Sequence, residues 1–350
     1  MSEETKDILR VSLDELSAVE TEAPTLRPSE QSYGAKSYGS IHEPAAPEIA
    51  AQEKGSFFLK GWVYLGLAGF AGAMLGWGIA EPGFVDGAVR RWGNVWMIPL
   101  IVALMSSGFA IAESIVERSA RKALIRVGIS LPLGIALAFV LDVIANVIYS
   151  LGLGICSAAG VQSYHNPTVW IARAIAWAAF GVGGGIVYGI VGKSSKKTGY
   201  GALGGAIGAA VGGLIFDPIS FATHGGAASR AVGFGLLGMA TGVAMGLVES
   251  ALKDRWLYVT AGPLAGKQFI LYKPLTTVGS LQTCDIYLFK DPEILPLHAT
   301  LVQKAGRIHL IAEGAVYASG QRVHSSRVLE SGSIIQLGRY SFRYQERLRG

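Results

Sequence analysis

Between Phe57 and Leu252 the chain is dominated by six apolar stretches, approximately 58–80, 94–116, 123–149, 169–192, 199–216 and 230–250. As helices each would be about 27–40 Å long, against a hydrocarbon core of about 30 Å. They predict six membrane spans, of which the fifth is the shortest. From Trp256 the pattern becomes short alternating runs divided by turn residues: Trp256–Ala261, Gln268–Tyr272, Asp285–Phe289, Ala299–Lys304, Arg307–Ile311, Ser333–Leu337 and Tyr340–Gln345. Short strands at this spacing predict a β-sandwich. Ahead of the first span, residues 19–55 are rich in Pro, Ser, Ala, Gly and Glu with no apolar period, a composition that predicts disorder. Within residues 3–19, Ile8, Leu9, Leu13 and Leu16 are spaced for one helical face. Such a short helix is marginal alone. It reads either as a docking helix for a partner groove or as a weakly helical tail.

The expected architecture is therefore multidomain. An acidic tail (1–55) precedes an α-helical polytopic membrane domain (56–252) and an all-β sandwich (255–347). Charge divides the chain in the same places. Residues 1–55 carry 5 basic and 11 acidic groups, residues 56–250 carry 12 and 7, and residues 251–350 carry 13 and 7. Only 16% of the chain is charged, against about 25% in a typical soluble domain. Basic residues cluster on alternate connections: Arg118, Arg121, Lys122 and Arg126, then Lys193, Lys196 and Lys197. Lys54 and Lys60 flank the first span, and Lys253 and Arg255 follow the last. By the positive-inside rule both termini are expected in the cytoplasm of a bacterial inner-membrane protein. Met1–Glu22 is acidic and lacks the basic-then-apolar start of a signal peptide. Two cysteines, Cys156 and Cys284, are expected on opposite sides of the membrane and so make no disulfide framework.

An internal repeat underlies the spans. Residues 108–122 (GFAIAESIVERSARK) align with 183–197 (GGGIVYGIVGKSSKK) at an offset of 75, and Leu141–Ile144 falls on Phe216–Ile219 at the same offset. The last span resembles Arg173–Ile190. Three tandem helical hairpins are expected, roughly 58–116, 123–192 and 199–250. Glycine, 47 of 350 residues, crowds the first and fifth spans at small-residue spacing. Such spacing lets membrane helices pack backbone to backbone, and a glycine-lined pore is the alternative.

Charged residues near a bilayer centre need partners. Each outer hairpin end has an acid and an arginine that could clamp it: Glu81 with Arg90 or Arg91, Asp142 with Arg173, and Asp217 with Arg230. Glu113 has no obvious partner within its hairpin and is the best single functional candidate there. With Asp142 and Asp217 it could instead belong to a gated cation or proton path. Val191-Gly192-Lys193-Ser194 ends like a phosphate loop, but Val187 occupies the glycine position and no strand precedes it. His224 reads as a solvated loop residue. His298 and His309 have no ligand-spaced partners, so no metal site is expected.

In the C-terminal part, Thr277-Val278-Gly279-Ser280, Cys284–Leu288, Asp291-Pro292, His298-Ala299 and Val328–Gly338 followed by Phe342 resemble a forkhead-associated (FHA) domain over about residues 255–347. The resemblance implies an eleven-stranded sandwich whose loops at one end hold phosphothreonine peptides. It nominates Gly279, Ser280, Leu295, His298, Ser319, Gly320 and Arg322 as partner-binding positions. The binding motif departs from the family pattern. Ser280 stands where arginine is usual. Leu295 stands at the phosphate-receiving serine and Pro296 at its neighbouring arginine. Glu313–Val316 replaces a Ser-Thr-Asn-Gly-Thr loop, and Ser319 replaces a later asparagine. Phosphate recognition draws on charge-assisted donors, arginine above all. Arg322, Arg339 or Lys290 could restore the charge only if folding brings one to the site.

No nucleophile–base–acid arrangement is apparent, so the chain is not expected to be an enzyme and needs no cofactor. The reading is a non-enzymatic, membrane-anchored adaptor or assembly subunit recruiting a cytosolic or membrane protein. Its other contacts would be the lipid bilayer and, in an oligomer, copies of itself. A basic domain beside a membrane is explained by anionic lipid, so no nucleic acid is expected. The alternatives are a small transporter or channel regulated by the FHA-like domain, and a phosphothreonine receptor that reads a phosphoprotein in Ser/Thr kinase signalling.

Overall fold

The computed structural model describes residues 52–347, apart from Val89 and Gln162. The expected disordered tail up to residue 51 and the short helix over 3–19 lie outside the described residues. The protein is multidomain, six long apolar helices followed by an all-β sandwich. The helices are α1 (Gly61–Ala80), α2 (Trp92–Val116), α3 (Ala120–Ala158), α4 (Pro167–Val191), α5 (Ser195–Ala222) and α6 (Gly226–Leu252). All six are long and apolar enough to cross a membrane. Each packs on the next, and α6 packs back on α1, so they close into a ring. Exposed Leu124, Val140, Val143, Val147, Leu151 and Ile155 run along α3, a surface suited to hydrocarbon.

Two helices outrun their apolar stretches. The α3 helix has 39 residues and continues to Ala158, because Ser150–Ala158 has no proline and the apolar residues around Gly152 and Gly154 carry the helix on. The α5 helix runs through Asp217 and Pro218 to Ala222, because Asp217 is neutralised within the ring. The repeat has a structural signature in the two connections that bear the basic clusters. Arg118 and Lys193 both have φ +54°. The next residues, Ser119 and Ser194, are both N-caps, accepting from the amides of Lys122 and Lys197. A serine oxygen here satisfies one of the orphan amides of a helix start.

Glycine sets the helix spacing. A Cβ on Gly181 would collide with the Gly205 carbonyl, and one on Gly185 with the backbone of Gly201, which joins α4 to α5. Gly69 and Gly238 do the same for α1 and α6. These faces are packed backbone on backbone, as small-residue membrane interfaces are.

The sandwich has eleven strands: β1 (Arg255–Ala261), β2 (Gln268–Ile270), β3 (Leu275–Gly279), β4 (Ile286–Tyr287), β5 (Ala299–Lys304), β6 (Arg307–Ala312), β7 (Val316–Ala318), β8 (Gln321–Arg322), β9 (Ser326–Leu329), β10 (Ile334–Leu337) and β11 (Tyr340–Glu346). One sheet runs β2-β1-β11-β10-β7-β8 and the other β4-β3-β5-β6-β9. Only β3 and β4 pair in parallel. Leu257, Val259, Val278, Leu301, Leu310, Leu337, Phe342 and Tyr344 fill the space between the sheets. Alternation could not reveal β7 and β8, which are three and two residues long.

Candidate functional site

The ring and the sandwich meet through a buried polar contact. Lys267, just before β2 and 2% exposed, donates to Glu117 at the end of α2 at 2.8 Å. Lys122 reaches the other Glu117 oxygen at 3.0 Å. Ser119 donates its hydroxyl to Gln282 at 3.2 Å, Arg347 bonds the Ala251 carbonyl at 3.0 Å, and Lys253 bonds Gln268. The α2–α3 connection and the end of α6 together form the seat of the sandwich.

The β3–β4 and β4–β5 loops form the candidate partner-binding end. Beyond β3, Ser280 donates its amide to the Leu295 carbonyl at 2.9 Å and Leu281 to the Pro296 carbonyl at 3.2 Å. Gly279 is required there, since a Cβ would strike the Pro296 carbonyl. The His298 ring lies beneath, 1% exposed. Its Nδ1 accepts from the Leu295 amide at 3.0 Å, and its Nε2 lies 3.1 Å from the Ala315 carbonyl. The tautomer that satisfies both carries its proton on Nε2. Gly314 lies flat on this imidazole, where any Cβ would collide. Gly279 and His298 are thus buried supports of the loops and do not face a partner.

The remaining candidates divide. Ser280 and Leu295 come together, and Leu281, Leu295 and Leu297 stand 50%, 44% and 39% exposed around them. Ser319 and Gly320, with φ +49° and +79°, instead form the two-residue turn between β7 and β8, the conformation a primed hairpin turn needs. Ser319 donates to the Ile334 carbonyl at 2.7 Å, which places the turn at the opposite end of β7. Arg322 follows it, exposed on β8. Arg339 is held by Asp291, which accepts from its amide at 2.7 Å, and Lys290 is exposed with φ +61°. None of these three cations bonds Ser280 or Leu295. The Cys284 thiol, behind the loop, is pushed up from its ordinary pKa by burial, so it is a packing residue and not a nucleophile.

Asp285 locks β3 to β4. It accepts from Lys273 at 2.7 Å and from the Thr277 amide and hydroxyl at 3.0 and 3.1 Å. Burial pushes its carboxyl up, but these donors outweigh burial and leave it below the ordinary aspartate value. A depressed native value contributes stability above the unfolded value, about pH 4, which is lost as pH falls further. Asp285→Asn is therefore expected to melt lower than wild type at pH 7. The gap should narrow as pH drops toward 3, read by thermal denaturation across pH.

In the ring the charge pairs differ from those expected. Arg173 pairs with Asp217 at 2.9 Å, not with Asp142, and Arg230 with Glu81 at 2.6 Å and Asp86 at 3.0 Å, not with Asp217. Each arginine therefore ties its hairpin to a neighbouring one, a choice that sequence distance cannot show. Arg173 also donates to the Tyr149 hydroxyl at 3.0 Å and lies over its ring. Asp142 lines a cavity of about 300 Å³ at the ring end away from the sandwich, and its backbone carbonyl accepts from Asn146. Glu113, which lacked an obvious partner, has three: Lys197 at 2.6 Å, Arg126 at 3.2 Å and the Tyr188 hydroxyl at 3.2 Å. Lys197 and Tyr188 belong to the repeated segment 75 residues on, so the repeat itself supplies the pairing. Asp217→Ala should destabilise the solubilised protein by about 3–5 kcal/mol, as breaking a buried pair does, and so lower its melting temperature. Adding Arg173→Met, and not Arg230→Met, should recover part of it.

Sequence reasoning missed Glu117, Lys267 and Glu249, the buried charges where ring and sandwich meet. A glutamate or lysine in the last turn of a helix, or before a short strand, reads as solvated. Among the described residues no group of three His, Cys, Asp or Glu side chains is placed to hold a metal ion.

Comparisons with known proteins agree with this geometry. The family model for the FHA domain matches residues 276–338. The chain is 31% identical over 86 residues to a Corynebacterium diphtheriae oxoglutarate dehydrogenase inhibitor, and 32% identical over 86 residues to its Corynebacterium efficiens namesake. Each match covers 24% of this chain, and the chain spans about three fifths of those relatives, 59% and 60%. An FHA domain of Chlamydia trachomatis is similar at 24% identity and TM-score 0.26, over 27% of this chain and all of that one. An Arabidopsis thaliana FHA domain is similar at 21% identity and TM-score 0.25, over 28% of this chain and 89% of that one. The matched segment spans β3 to the end of β10, loops and buried His298 included, and the C-terminal sandwich of this protein is an FHA domain.

Proposed function

We propose that the protein is a non-enzymatic membrane adaptor whose FHA domain recruits a cytosolic protein through an apolar loop surface, without a phosphate requirement. The observation that carries this reading is the exposed Leu281, Leu295 and Leu297 around Ser280, with Arg339 Nε 3.8 Å from Asp291 and no bond from Arg322 or Lys290 to Ser280 or Leu295. An arginine–phosphate contact supplies paired charge-assisted bonds, and this surface offers none. Buried supports beneath it keep the loops preorganised, which lowers the entropic cost of binding. The relatives named for inhibition of a metabolic enzyme favour protein binding as the task.

The six helices anchor that domain in the bilayer. Arg118 and Lys193 lie on the connections, and Arg121, Lys122, Lys196 and Lys197 in the first turns of α3 and α5, at the sandwich end; the positive-inside rule assigns this end to the cytoplasm. The ion-paired ring interior and glycine contacts support an anchor over a conduit. Calorimetry of the full-length solubilised protein against a phosphothreonine peptide library is expected to show no phosphate-dependent binding. Micromolar binding that disappears on dephosphorylation would replace the adaptor reading with a phosphothreonine receptor.

A further inference from the structure

Three carboxylates cluster at the sandwich end of the ring, Glu117 and Glu249 buried and Glu113 half-buried, and two of them are neutralised by a lysine ammonium. Glu113 receives Lys197 at 2.6 Å and Glu117 receives Lys267 at 2.8 Å. The third, Glu249 on α6, is 5% exposed. Its Oε2 has the Tyr188 hydroxyl at 3.3 Å, whose single proton is shared with Glu113. Its Oε1 neighbours the Tyr272 hydroxyl, and Lys197 acts on the carboxylate from a distance, but among the described residues no lysine or arginine forms an ion pair with Glu249 as they do with Glu113 and Glu117. A buried charge left this way costs several kcal/mol. Glu249 also lines two neighbouring cavities, of about 120 and 380 Å³, between the helix ends and β1–β2. The larger is walled by Trp62, Tyr64 and Tyr258 and edged by Ser250 and Gln268. Lys60 stands on the same wall, but its ammonium lies over the Phe57 ring, 5.2 Å from the centroid.

We propose that this vestibule is a binding site for a small primary ammonium compound, with its charge on Glu249 Oε1. The protein's own solution for half-buried Glu113 and buried Glu117 is the chemistry in question, an ammonium donating to a carboxylate. An incoming ammonium has three donors. One meets Glu249 Oε1, a second meets the Tyr272 hydroxyl oxygen, and the third faces the cavity. The aromatic walls favour an organic cation. An alkali ion would need a fuller shell of oxygens than one carboxylate and hydroxyls supply. The site lies between the ring and the FHA domain, apart from the leucine-bearing loops, so it stands whether or not the adaptor reading does.

The test is thermal unfolding of the full-length detergent-solubilised protein at pH 8 in amine-free buffer at constant ionic strength, with propylammonium, potassium or sodium chloride. Propylammonium is expected to raise Tm saturably by several degrees, and the alkali salts are not. Glu249→Gln should abolish the rise. If that variant fails to fold, Ser250→Trp, which fills the cavity without removing the carboxylate, must abolish it instead. The proposal is overturned if propylammonium gives no saturable rise or potassium matches it. An undiminished rise in the folded Glu249→Gln variant, or in Ser250→Trp, overturns it equally.

Discussion

Substituting Gly205 by valine is expected to prevent accumulation of folded protein. Gly205 and Gly181 face each other across α5 and α4, and a Cβ on either would enter the carbonyl of the other. Relief requires separating two backbones along most of their length, because Gly201 and Gly185 make the same contact one turn away. Overpacking a core with side chains to adjust costs about 1–3 kcal/mol, and here no flexible side chain can yield. The opposite result is expected at Gly128 and Gly199, whose added Cβ meets nothing within 4 Å. Alanine there should be neutral or stabilise by up to about 1 kcal/mol. Yield of monodisperse protein after solubilisation separates the cases, and a well-folded Gly205→Val would refute backbone-on-backbone packing.

Lys267→Ala should free the FHA domain from the ring. Glu117 is 4% exposed, and removing one of its two lysines leaves a buried carboxylate half-neutralised. Breaking such a pair costs about 3–5 kcal/mol, whereas replacing both partners by uncharged side chains is often nearly neutral. Limited proteolysis at Lys253, between α6 and β1, and at Arg255, the first residue of β1, reports the detachment. Faster cleavage is expected in Lys267→Ala, and cleavage near the wild-type rate in Lys267→Met with Glu117→Gln. Equal rates in wild type and Lys267→Ala would show that the pair does not hold the seat.

The six helices and the sandwich were legible because their periods are long or regular. The repeat was legible too, and the Ser119 and Ser194 caps that the structure shows fall at matched positions of it. The charge pairing was not. Arginines and acids at one depth are interchangeable in sequence, and only ring closure decides that Arg230 meets Glu81, 149 residues away. In the FHA domain the changes at Ser280 and Leu295 were visible directly. That His298 faces inward, and that Ser319 and Gly320 make a distant turn, depends on loop paths that composition does not encode. Glu249 was invisible for another reason: its burial comes from the sandwich folding over the helix end.

Ring closure also constrains how such a protein can change size. Tandem hairpins in an open row could be lengthened by duplicating a unit, as solenoids are. Here α6 returns to α1 through Gly238 and Gly69, whose backbones touch, so there is no unpaired edge to receive another hairpin. A fourth unit would have to break that contact and widen every angle around the ring, which glycine faces matched to a single separation cannot tolerate. The fold fixes its own copy number at three.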